Sequence, residues 1–129
     1  MIDRCEAMTV IDVNTAGDTS GPGQQEVFLQ TNLEACAEIV RQVRLRNLSG
    51  IVIVDFINVK TDPDRELMLE KLRQGFDNDR IKTVIHGFTS LGLAEITRRR
   101  SRPDWYEQHT EMCPECGGIG RVRKNGGKT

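Results

Sequence analysis

Apolar residues along the chain recur at two spacings, and the spacing changes from segment to segment. Thr9-Val10-Ile11-Asp12-Val13 is a short β-branched run and reads as a strand. Met1 and Ile2 read as a partner strand, with the turn around Asp3 to Glu6. Asn14 to Gln25 is rich in Gly, Thr, Ser, Asp and Pro, which predicts a long mobile loop of a length usually kept for function. Thr31-Asn32-Leu33-Glu34 has the form of a capping box and predicts a helix from there to about Arg46. Leu33, Cys36, Val40 and Val43 mark its buried stripe, and Asn47-Leu48-Ser49-Gly50 ends it. Ile51-Val52-Ile53-Val54 runs unbroken into Asp55-Phe56-Ile57, which predicts a strand buried on both faces.

The next helix begins at Asp62-Pro63, with Asp as cap and Pro at the first helical position. Leu69, Leu72 and Phe76 form its apolar stripe. Thr83-Val84-Ile85 reads as a further short strand, and Leu91 to Arg98 as a short helix despite Gly92. Apolar periodicity ends at Ser101 and Pro103, and the final nine basic, Gly-rich residues read as disordered. The predicted fold class is α/β. It comprises a mixed, largely parallel sheet flanked by helices over residues 1–103 and a small zinc-binding tail over 104–129.

Composition narrows the function classes. The 129 residues are 37% hydrophobic and 29% charged, an ordinary balance for a folded domain. No apolar run approaches the roughly 20 residues of a bilayer span. No basic-then-apolar leader opens the chain, and four cysteines are too few for a secreted disulfide scaffold. A reducing, cytoplasmic setting is expected. The net charge of −1 hides an asymmetry: residues 1–30 carry five acidic residues against one basic, so the remainder carries +3. Positive charge clusters at Arg41, Arg44 and Arg46 and again at Arg98, Arg99, Arg100 and Arg102. Such patches either bind phosphates or form a solvated face.

Two features carry candidate chemistry. Asp12 closes one apolar strand and Asp55 sits inside another. Burying a carboxylate there is costly unless it is paired or binds a metal. Side by side in one sheet, the two would form a hard oxygen site suited to magnesium, with Asn14 projecting from the same face. The competing reading pairs them with arginines or uses them as loop caps. The second feature is Cys113-Pro114-Glu115-Cys116-Gly117-Gly118-Ile119-Gly120, a half-site for zinc whose glycines permit a tight turn. His109 and another ligand could complete it within the chain, two chains could share one zinc, or the pair could be redox-active. The shared zinc needs no further ligand. Cys36, on the helix stripe, reads as a core residue.

These segments, with Asn78-Asp79-Arg80 and Gly92-Leu93-Ala94-Glu95-Ile96-Thr97-Arg98-Arg99-Arg100, follow one another in an order that resembles the ribonuclease E/G family over nearly the whole chain. The resemblance implies a magnesium-dependent endoribonuclease that hydrolyses single-stranded RNA in RNA processing and decay and leaves a 5′-phosphate. It implies that Asp12 and Asp55 hold the magnesium and that Asn14 orients the scissile phosphate or the attacking water. It implies that Cys113 and Cys116 share a zinc with a second protomer, giving a homodimer or higher homo-oligomer. Arg44, Arg46, Arg80, Lys82, Arg98, Arg99 and Arg100 are the candidate RNA-binding residues. Family enzymes also carry an oligonucleotide-binding barrel, a 5′-end sensor and a ribonuclease H-like subdomain ahead of this segment. The expectation is therefore a deoxyribonuclease I-like catalytic subdomain in a truncated chain, weakly active alone. The alternative is a non-catalytic zinc-linked dimer, or gene fragment, that at most binds RNA.

Overall fold

A computed structural model describes residues 1–4, 8–13, 23–59, 61–100, 102–103, 108–122 and 124. Asn14, most of the expected loop after it, and Cys5 lie outside the described residues. The element order is β1 (Ile2–Arg4), β2 (Met8–Asp12), α1 (Gln24–Leu45), β3 (Gly50–Asp55), α2 (Asp62–Phe76), β4 (Thr83–Phe88) and β5 (Leu93–Arg98). The five strands form one sheet in the order β1-β2-β3-β5-β4.

The sheet is mostly antiparallel. Only β2 and β3 run parallel, because α1 carries the chain back between them. β1 joins β2 antiparallel, with Ile2 opposite Ile11, as the strand reading at the N-terminus anticipated. The expected largely parallel arrangement fails at the C-terminal end. There the segment read as a helix from Leu91 is the strand β5, which inserts between β3 and β4. The cause is a tight hairpin. Gly92 adopts φ 82°, Thr89 N–H donates to Leu93 O (2.8 Å), and the Thr89 hydroxyl accepts from the N–H groups of Leu91 and Leu93. Once the turn is closed, Ala94, Ile96 and Arg98 alternate with Glu95 and Thr97 across the sheet.

Helix α1 begins at Gln24, ahead of the capping-box threonine, with Gly23 in the left-handed region before it. Phe28, Asn32, Cys36 and Val40 are buried at four-residue spacing, so the inward stripe extends through Thr31 without a break. Helix α2 is capped by Thr61, whose hydroxyl accepts from Asp64 N–H, with Pro63 in its first turn. The predicted stripe of Leu69, Leu72 and Phe76 is buried, and Met68 is buried with it. The helices cross closely at Gly75, where a Cβ would come within 2.6 Å of Val40 Cγ2.

Both helices contribute to the same core as Ile11, Val52, Val54, Ala94 and Ile96. Those strand residues occupy one face of the sheet. The opposite face carries Met8, Ile51 and Val84, each at least 36% exposed. The fold is thus two layers, and β3 is half-buried rather than buried on both faces. Among the described residues, no helix is long and apolar enough to cross a membrane.

A buried polar cluster closes one end of the core. The Arg98 guanidinium, 2% exposed, donates to Asp79 (2.9 and 3.3 Å), Asn47 Oδ1 (2.9 Å) and Leu48 O (2.9 Å). Asn47 follows α1 at φ 50°, and Asp79 follows α2. One buried cation therefore lies at the C-terminal ends of both helices, where the helix dipoles favour positive charge.

Candidate active site: two aspartates at adjoining strand ends

Asp12 is the last residue of β2 and Asp55 the last of β3. The parallel register pairs them directly, Cα partner to Cα partner. Adjacent strands lie about 4.8 Å apart, so the two side chains leave the sheet as neighbours. Ile11 and Val54, one residue earlier, point into the core, which places both carboxylates on the helix-free face. The backbone fixes this edge: Val13 N–H donates to Asp55 O (3.0 Å), and Asp12 N–H donates to Met1 O (2.8 Å).

Two carboxylates that leave neighbouring strands side by side repel each other when both are charged. No ion pair with either aspartate is found among the described residues. A divalent cation relieves such repulsion, and a part-buried Asp12 beside an exposed Asp55 suits magnesium, which binds through one or two carboxylates and keeps several waters. The residues present therefore fit the ion. A groove of about 440 Å³ between α1 and the β1–β2 edge touches Asp12 but not Asp55, so the carboxylate pair is not part of it.

The basic residues are placed differently. Gly50 pairs with Arg98 while Asp55 pairs with Leu93, so β5 carries its arginines to the opposite end of the sheet. At five residues' rise, the separation from the carboxylates is roughly 17 Å. Arg80, Lys82, Arg99 and Arg100 are exposed around that far end. Arg44 lies in the last turn of α1, 4.0 Å from Asp79, and Arg46 caps the helix and bonds to Gln42 (3.0 Å). Arg98 is a correction to the phosphate-contact expectation: it is buried, and its donors are engaged within the core.

Cys113 and Cys116 sit in a tight knuckle. Gly117 N–H donates to Cys113 O (2.8 Å), and Gly120 N–H donates to Cys116 Sγ (3.2 Å). Gly117, Gly118 and Gly120 all have positive φ, the conformation this turn requires. The Gly120 and Gly118 amides, then Cys113, hold the Cys116 thiol below its ordinary range. Among the described residues, no group of three or more His, Cys, Asp or Glu side chains gathers into a metal site. Cys36 is a core residue as its spacing implied, donating to Met68 O (3.7 Å), and burial pushes its thiol up to about 12.

Residues 1–101 match the ribonuclease E/G family, and the chain belongs to it. It is 42% identical over 123 residues to ribonuclease G of Haemophilus influenzae and of Escherichia coli K12, covering 95% of this chain and 25% of each relative. It is 41% identical over 122 residues to ribonuclease E of Synechocystis, covering 95% of this chain and 18% of that protein. The chain thus spans about a quarter or less of the curated relatives it matches.

Proposed function

We propose that the chain is the catalytic portion of a ribonuclease E/G-type endoribonuclease that hydrolyses single-stranded RNA with magnesium. The observation that carries this reading is the direct register of Asp12 with Asp55 at adjoining strand ends. In this reading the two aspartates hold the ion, which when bound supplies Lewis acidity at the scissile phosphate. Asn14, two residues beyond Asp12, orients that phosphate or the attacking water. Arg44, Arg46, Arg80, Lys82, Arg99 and Arg100 hold more distant phosphates by charge alone, without reading sequence. Cys113 and Cys116 share a structural zinc with the same pair of a second chain, because two thiolates fill half of a tetrahedral site.

The test is cleavage of a short single-stranded RNA with and without magnesium, by the chain and by Asp55→Asn. Metal-dependent cleavage lost in the variant supports the reading; equal cleavage by both removes Asp55 from the mechanism. The separation between the basic end and the carboxylates favours one second reading, a zinc-linked dimer that binds RNA without cutting it. That reading expects salt-sensitive RNA binding and no magnesium-dependent turnover.

A further inference from the structure

The chain leaving β3 has lost its sheet partners. The ladder ends at Asp55, which is paired on one side with Asp12 and on the other with Leu93. Two residues later, Ile57 meets a side chain from the helical layer. Asn32 Nδ2 donates to Ile57 O (2.8 Å), and Ile57 N–H donates to Asn32 Oδ1 (3.0 Å). Asn32 is 2% exposed and lies within α1. Its amide meets both backbone groups of one residue, as a neighbouring strand would. Immediately afterwards Asn58 takes φ 40°, an uncommon conformation for a residue with a side chain, and the chain turns towards α2.

We propose that Asn32 is a positioning residue for the carboxylate pair: by clamping Ile57 it fixes the exit of β3 and so holds Asp55 beside Asp12. The inference rests on the metal reading of that pair. Phe56, between Asp55 and Ile57, is buried, so the segment is held from the core side as well. The outward residue, Asp55, depends on the backbone path for its aim. Only an amide side chain donates and accepts at once with this geometry. An Asp at position 32 accepts from Ile57 N–H but faces Ile57 O without a proton to donate. A Leu there fills the space and satisfies neither group. Groups that orient metal ligands commonly change metal affinity by about 10–100-fold when removed.

The test is a titration of Mn²⁺ into the metal-stripped full chain, followed by water-proton relaxation, with thermal melts of every variant. The set is Asn32→Asp, Asn32→Leu, Asp55→Asn and Val43→Ala. Val43 is fully buried further along α1 and serves as a control for lost stability alone. The expected result is Mn²⁺ binding weakened about tenfold or more in both Asn32 variants, with Val43→Ala binding as the parent does even though it melts lower. Asn32 variants that melt lower yet bind Mn²⁺ like the parent overturn the inference while leaving the metal site standing. Should Asp55→Asn itself bind Mn²⁺ unchanged, the metal reading falls and the inference falls with it. Asn32→Asp is the milder change and keeps the test decisive where Asn32→Leu does not fold.

Discussion

Replacing Asp79 with Asn removes the charge that balances Arg98 while leaving the guanidinium in place. Both side chains are nearly sealed, 6% exposed for Asp79 and 2% for Arg98. Asp79 supplies two of the four bonds that the guanidinium makes, and Asn47 and Leu48 supply the others. Removing one partner of a buried pair costs about 3–5 kcal/mol, because the remaining charge is stranded away from water. For a domain of this size that is a fall in Tm of about 10–20 °C. Arg44, 4.0 Å from Asp79 and half-exposed, adds little. Removing both charges in Asp79→Leu/Arg98→Met leaves no stranded ion, so the double variant is expected to melt above Asp79→Asn. Thermal unfolding by circular dichroism reads all three chains. An Asp79→Asn chain that loses less than about 1 kcal/mol would show that Arg98 is not stranded without its partner, as would a double variant that melts below the single one.

Acid dependence follows from the same carboxylate. Burial raises the pKa of Asp79, but the Arg98 bond, the Ile81 N–H and the nearby arginine charges outweigh it and hold the carboxyl below its ordinary range. Its contribution is therefore complete above about pH 4 and lost as pH falls through the folded value. The Tm gap between parent and Asp79→Asn should be flat near neutrality and close below pH 4; a gap that widens in acid contradicts this. Gly75→Ala gains helix propensity but places a Cβ 2.6 Å from Val40 Cγ2. A net loss of about 1–2 kcal/mol is expected in urea titrations, largely recovered by adding Val40→Ala. In chelator, alkylation followed by peptide mass spectrometry at pH 8 should modify Cys116 quickly and spare Cys36, whose thiol is buried and pushed up to about 12. Equal labelling would show that the core opens. Metal analysis with sedimentation is expected to give one zinc per two chains and monomers in chelator, whereas one zinc per monomer would point to ligands within the chain such as His109.

The two aspartates stood out as charges at the ends of apolar strands, but the burial cost read from that does not apply, because both face the helix-free side and Asp55 is exposed. Their direct register was not legible, since it depends on α1 carrying the chain back parallel to β2. Leu91 to Arg98 misled because Leu, Ala, Glu and Ile suit a helix locally, and the hairpin closed by Thr89 and Gly92 overrides that preference. The run Ile51 to Val54 suggested burial on both faces, but both helices pack on one side and leave Ile51 43% exposed. Thr31-Asn32-Leu33-Glu34 fits a helix start, and its asparagine instead reaches across the core to Ile57. Arg98 looked like its neighbours in a basic run. Only the strand's alternation, which turns Arg98 inward and Arg99 outward, separates a structural cation from a surface one.

The proposal that Asp12 and Asp55 act as one metal site on RNA rests on their direct register. Its most direct test is the single-turnover cleavage rate of a single-stranded oligoribonucleotide against magnesium concentration, for the parent, Asp12→Asn and Asp55→Asn. Cleavage that saturates with magnesium in the parent and is lost to a similar extent in both variants is the expected result. Cleavage that persists in either variant at the parent's rate and magnesium dependence would remove that aspartate from the metal site.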